Sequence, residues 1–212
     1  MVRKDIKEFV HTIPNDVTIV AASKYVEAED IVTLLNAGIN NIGENRVDSF
    51  LEKYEKLQDV PIIWHFIGHL QRNKLAKVID KIDYLESLDS IELAKMINIR
   101  RKTPLKCFVE ISINLEENKN GVPYFEAESF IKKILEYKNI ELVGLMMMTI
   151  KDSNVDSLDE QFTKLRTLRD ELEKKLNIHL PYLSMGMSED YESAIKNGAT
   201  HIRLGIILFN ML

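Results

Sequence analysis

The chain has 212 residues, 45% of them apolar and 29% charged, with a formal charge of −5. This balance describes a globular chain long enough to bury a sizeable core, and its mild acidity leaves no basic footprint for nucleic acid. No apolar run approaches the ~18 residues of a membrane helix, the start MVRKDIKEFV is too charged for a secretory leader, and the single cysteine, Cys107, cannot form an internal disulfide; a cytoplasmic location is expected.

The pattern alternates in chain order. A helix-like segment near 3–11 precedes a strand at 17–23 (VTIVAAS). Helix 27–37 leads to strand 40–43 (NNIG), helix 45–57 to strand 62–68 (IIWHFIG), and helix 70–80 to strand 83–87 (DYLES). Helix 90–101 then leads to strand 106–113 (KCFVEISI), helix 125–138 to strand 141–147 (ELVGLMM), helix 155–176 to strand 181–184 (PYLS), and helix 189–197 to strand 200–205 (THIRLG). The strands are short β-branched or aromatic runs, and the helices carry apolar residues three or four apart. The clearest stripe is Val155, Leu158, Phe162, Leu165, Leu168, Leu172 and Leu176, with Asp152, Ser153 and Asn154 as candidate caps. Gly38 and Gly198 mark helix ends, where glycine takes the left-handed conformation readily.

Strand–helix alternation implies parallel strands joined by right-handed crossovers. Eight such units predict an α/β fold, a single compact (β/α)8 TIM-type barrel spanning residues 1–212, with no linker to divide it. An open doubly wound sheet is the alternative. No GxGxxG follows any strand, which weighs against a dinucleotide site.

In such a barrel the active site lies at the C-terminal ends of the strands. Lys24 falls there, after the first strand, where its amine would enter a partly desolvated cavity that favours the neutral, nucleophilic form. On position alone a loop-capping surface lysine is the alternative. The loop after the seventh strand reads SMGMSEDYESAIKNG. Gly186 permits close backbone approach, and Ser188 stands where a helix would begin, as an anion site or as a plain N-cap. Gly205 opens the next loop and could add N–H donors. An amine and an anion cradle on one face are what pyridoxal 5′-phosphate requires. Arg203 alternates with apolar residues, so it can point into the barrel toward a ring nitrogen, or pair with a core carboxylate such as Glu110.

Other features read as structural. His65 and His69 are four apart, but a strand end and Gly68 intervene, so no metal site is expected. Cys107 and the MMM at 146–148 read as core or pocket packing. The Lys/Glu-rich faces at 52–56 and 171–175 read as solvated surface.

The motifs together resemble those of the pyridoxal phosphate homeostasis proteins, which look like the N-terminal barrel of alanine racemase without its second domain. The matching stretches are ASK at 22–24, GEN at 43–45, WHFIGHLQRNK at 64–74, NKNG at 118–121, GLM at 144–146, SMGMSEDYESAI at 184–195 and IRLG at 202–205. The resemblance implies that Lys24 holds pyridoxal 5′-phosphate as a Schiff base. It implies Ser188 and the backbone of Gly205 and Ile206 at the phosphate, Arg203 near the pyridine nitrogen, and Asn45 and His65 near the cofactor. Many members of that family have Thr where this chain has Ile206, and Gly where it has Asn210. The resemblance also implies a role in vitamin B6 homeostasis without established turnover, with related B6 vitamers as further ligands. The alternative is a small amino acid racemase. Racemisation needs a second acid–base group on the opposite face, which alanine racemase draws from a domain that this chain is not expected to carry. The expected state is a monomer, or at most a weak dimer, with neither nucleic acid nor membrane as partner.

Overall fold

The computed structural model describes residues 1–24, 26–113, 120–150 and 153–209. Four features singled out above lie outside those residues: Asp152 as a cap, Asn118 and Lys119 of the NKNG motif, and Asn210.

Eight parallel strands close into a barrel: β1 Thr18–Ala22, β2 Asn41–Glu44, β3 Ile63–Phe66, β4 Tyr84–Leu88, β5 Leu105–Ser112, β6 Ile140–Met146, β7 Tyr182–Met187 and β8 His201–Leu204. Each neighbour in sequence pairs in parallel, and β8 returns to β1 with Val20 opposite Arg203. A two-residue side strand, Val122–Pro123, pairs with the end of β5 and was not anticipated. The helices are α1 Ile6–Thr12, α2 Ala28–Asn36, α3 Val47–Lys56, α4 Leu75–Val78, α5 Ile91–Arg100, α6 Ala127–Ile134, α7 Val155–Leu176 and α8 Tyr191–Lys196. None is long and apolar enough to cross a membrane among the described residues.

Successive residues of each strand face opposite sides. The outward set, such as Ile19, Ala21, Ile42, Trp64, Phe66, Cys107, Val109, Leu183 and Ile202, forms the main core with the helices. Each large apolar side chain so buried contributes roughly 1.5–3 kcal/mol. On the inward side, Tyr84, Phe108, Tyr182 and His201 contact one another ring to ring, and His65 stacks on Tyr84 with centroids 4.4 Å apart. These rings plug the barrel. Burial holds the His201 imidazole down at about 4, against the pull of the Glu86 charge.

Helix α7 starts and ends where its stripe predicts. Asn154 caps it, its side-chain oxygen accepting from Ser157 N–H at 2.9 Å. Val155 departs from the stripe: at the first position it is 67% exposed, ahead of the first turn that packs. The segment expected as a helix over 70–80 is a 3-10 turn, Arg72–Lys74, followed by the single-turn α4. Its polar half stays at the surface, and Leu75, Val78 and Ile79 carry the burial.

Candidate functional site

Lys24 stands two residues beyond the C-terminal end of β1, as expected. The Ser23 N–H donates to Gly43 O at 2.9 Å, which fixes the backbone just before it. The expected desolvation is not found: Lys24 is exposed, so the protein alone does not strip its amine of water. Neighbouring Tyr25 lies outside the described residues.

Beneath Lys24 lies a polar cluster that the sequence reading missed. Glu44, at the end of β2, is fully buried and accepts from Lys53 Nζ at 2.5 Å, Ser49 Oγ at 2.9 Å, Ser23 Oγ at 3.3 Å and the Asn45 N–H at 3.0 Å. Lys53 also donates to Ser23 O at 2.5 Å. The 52–56 face is therefore not all solvated surface. Lys56 pairs with Glu52 in solvent, but Lys53 is only 6% exposed. A signal was present: Lys53 falls in step with Val47, Phe50 and Leu57, on the buried stripe of α3.

Asn45 follows directly. Its Oδ1 is buried with no hydrogen-bond partner among the described residues. Gly68 packs against it so closely that a β-carbon there would lie 2.4 Å from Asn45 O. Such a buried acceptor costs free energy unless a ligand supplies a donor.

On the adjacent side of the mouth, Ser188 and Gly205 come together. Ser188 is not the N-cap: α8 begins at Tyr191, and the cap position is Asp190. The intervening turn is held by Asp190, whose carboxylate accepts from the Met187 N–H at 2.5 Å and from Thr149 Oγ1 at 2.8 Å. Ser188 Oγ instead accepts from the Gly205 N–H at 3.1 Å and the Ile207 N–H at 3.5 Å. An oxygen thus sits where converging N–H groups can receive one. Ile206 lies between those donors and is 46% exposed. Gly186 makes the turn possible with φ at +92°, and a β-carbon there would lie 2.5 Å from Ala194 Cβ. Gly186→Ala is expected to cost about 1–3 kcal/mol from backbone strain alone. Chemical denaturation measures it, and a loss below about 0.5 kcal/mol, the scale of a neutral surface change, would show that the turn is not strained.

Arg203 points into the barrel, as one of its two readings had it, and is 4% exposed. Its hydrogen bonds run from Nη1 to Ser184 Oγ at 2.6 Å and from Nη2 to Met147 O at 2.7 Å, not to Glu110. Ser184 Oγ donates in turn to Glu86 Oε2 at 2.6 Å, and His65 Nδ1 meets Glu86 Oε1 at 2.6 Å. His65 Nε2 meets Asn41 Oδ1 at 3.0 Å. Each ring nitrogen thus meets a side-chain oxygen. His65 is hydrogen-bonded on both ring nitrogens and is fully enclosed in the barrel, below the mouth where the resemblance had it near a cofactor. Burial alone would raise the Glu86 carboxyl. Its bond with His65 and the charges of His65 and Arg203 overcome that and hold it at about 2.

His69 pairs separately with Asp89 at 3.1 Å, so the two histidines share no partner. Cys107 is buried among apolar neighbours, which pushes its thiol up and leaves it inert. Met146 packs against Phe108 and Val143, Met147 joins the outer core, and Met148 is half exposed beside Arg203. The assembled face offers an amine, a free amide oxygen, converging N–H donors and a fixed guanidinium. Together these can hold an anion and bind a carbonyl compound covalently.

The comparisons with known proteins agree with that chemistry. Residues 2–212 match the family model described as alanine racemase, N-terminal domain. A pyridoxal phosphate homeostasis protein of Aquifex aeolicus is 40% identical over 198 residues, covering 92% of this chain and 87% of that protein. The structure of PipY from Synechococcus elongatus without PLP superposes with a TM-score of 0.91 at 28% identity, covering 99% of this chain and 100% of that one. The PLP-bound structure of PipY gives 0.88 at 29% identity, covering 96% and 99%.

Proposed function

The chain belongs to the family of pyridoxal phosphate homeostasis proteins, built on an alanine racemase N-terminal domain, and from that premise we propose that it holds pyridoxal 5′-phosphate in the mouth of its barrel, covalently through Lys24. Its role is to bind the cofactor and buffer intracellular vitamin B6, without turnover of its own. One observation carries this reading: Lys24 and the Ser188–Gly205 cradle stand on neighbouring strand ends of the same face. Gly205 lies beside Ala22, and a β-carbon there would be 3.7 Å from that alanine's own.

When bound, the cofactor supplies a carbonyl carbon for amines and an electron-withdrawing ring. The residues divide the holding of it. Lys24 supplies the amine. Ser188 Oγ and the N–H groups of Gly205 and Ile207 receive the phosphate, with the Ile206 backbone between them; Ile206 offers no hydroxyl, so the cradle depends on backbone donors. Asn45 Oδ1 accepts from a ring hydroxyl. Arg203 keeps its proton at all accessible pH, so a ring nitrogen that it contacts must stay unprotonated to accept. His65 acts from within the barrel through Glu86 and Ser184. The protein works in the cytoplasm as a monomer, and related B6 vitamers that keep the phosphate share the cradle.

An absorption spectrum of the purified protein with added pyridoxal 5′-phosphate tests this. Wild type is expected to show a band shifted from that of the free cofactor, and Lys24→Ala is expected to lose it while remaining folded. A wild-type spectrum identical to free cofactor sinks the reading.

A further inference from the structure

Glu110 has no part in the site so far described. In the closed ring, β5 lies four strands from β1 whichever way the ring is followed, so the two strands face each other across the barrel. Phe108 points inward among the plugging rings, while Cys107, Val109 and Ile111 point outward into the helix layer. Glu110, two residues beyond Phe108, therefore also points inward, one step nearer the mouth. An eight-stranded barrel is wide enough for inward side chains plus one small ligand.

This carboxyl is 8% exposed, and no hydrogen bond or ion pair reaches it among the described residues. Three charged groups face it: Asp89 after β4, His69 after β3, and Arg203 on β8. Burial and the Asp89 charge raise it to about 7, against the opposing pull of Arg203 and His69. A carboxyl left this way destabilises the fold, whereas a donor brought in by a ligand would satisfy it.

We propose that Glu110 is a ligand-facing acid–base residue that accepts the proton of a primary ammonium, such as that of an amino acid, entering the mouth opposite Lys24. The inference rests on the reading that a carbonyl cofactor is held at Lys24. In the step, an N–H bond of the ammonium breaks, an O–H bond forms on Glu110, and the electron pair stays on nitrogen. The neutral amine would then add to the carbon that Lys24 holds: a C–N bond to the entering amine forms, the C–N bond to Lys24 breaks, and the two protons of the entering nitrogen pass to the Lys24 nitrogen, which leaves as a neutral amine.

The test mixes cofactor-loaded protein with glycine or methylamine and follows absorbance between pH 5.5 and 8.5. The wild-type exchange rate is expected to rise through neutral pH. Glu110→Gln should be slower by roughly a hundred-fold at pH 8, without that inflection, at the lower end of general-base effects. Gln keeps the shape, so cofactor occupancy should be unchanged. Because the native carboxyl is raised, its contribution to wild-type stability is fully present below about 4.5 and is lost as pH climbs through about 7. Glu110→Gln is therefore expected to melt higher than wild type at pH 8 and equally at pH 4. A second readout needs no cofactor: carbon NMR of the free protein should show one glutamate carboxyl titrating near neutrality that vanishes in Glu110→Gln. Absence of that signal, or equal exchange rates and profiles in the two proteins, overturns the proposal. A wild type that takes up no cofactor would bring down the Lys24 reading and this one with it.

Discussion

Glu86→Gln is expected to lose about 3–5 kcal/mol of stability at pH 7, the scale for removing one member of a buried charge network. Glu86 is fully buried between His65 and Ser184, with the Arg203 charge close by. The neutral amide would take from Arg203 the carboxylate that acts on it most strongly, ahead of Glu110 and Asp190. It could also donate to Ser184 Oγ, turning that hydroxyl's proton against the guanidinium it now receives. The depression from 4.5 to about 2 gives an independent figure of roughly 3 kcal/mol. A depressed carboxyl stabilises above its unfolded value, and that contribution is lost as pH falls through its folded one. The gap between wild type and Glu86→Gln in denaturant titrations should therefore be full at pH 7 and narrow below pH 4.5. A gap that stays constant down to pH 3 would mean that packing, not charge, carries the effect.

Lys53→Met is expected to cost a similar ~3–5 kcal/mol, because it breaks a buried ion pair and leaves Glu44 enclosed with only neutral donors around it. The loss should reach the site as well, since Lys53 holds Ser23 O and Glu44 holds the Asn45 N–H. Ser23 adjoins Lys24, and Asn45 is itself proposed to touch the cofactor. Adding Glu44→Gln removes the stranded charge, so the double variant should recover at least half of the loss. A double-mutant cycle by chemical denaturation reads this directly. Additive losses would show that the two side chains stabilise the fold independently.

The strands and helices were legible because local signals agreed. β-Branched runs marked the strands, stripes three and four apart marked the helices, and Gly38 and Gly198 sit at positive φ where helices end. The place of Lys24 just beyond the first strand was legible from the apolar run before it, and that of Ser188 in the loop after the seventh strand from its turn residues. What escaped depends on residues far apart in sequence. Glu86 meets Ser184 across 98 positions, and nothing near either one announces the other. Lys53 escaped for a different reason: a charged residue on an apolar stripe was read by its type and not by its position. The exposure of Lys24 could not be read at all, because it depends on how far the surrounding loops reach over the mouth.

The pairing of β1 with β8 has a kinetic consequence. The proposed site draws its amine from just beyond the first strand and its cradle from the loops after the last two, so it would exist only once the barrel is shut. The first residues reinforce that seam: the Arg3 N–H donates to Leu208 O at 3.0 Å, and Val2 bridges to Phe209. This is among the most sequence-distant pairings in the chain, and loop-closure entropy makes such pairings slow to form. The appearance of bound-cofactor colour during refolding should lag the gain of helical signal, and so serve as a clock for ring closure.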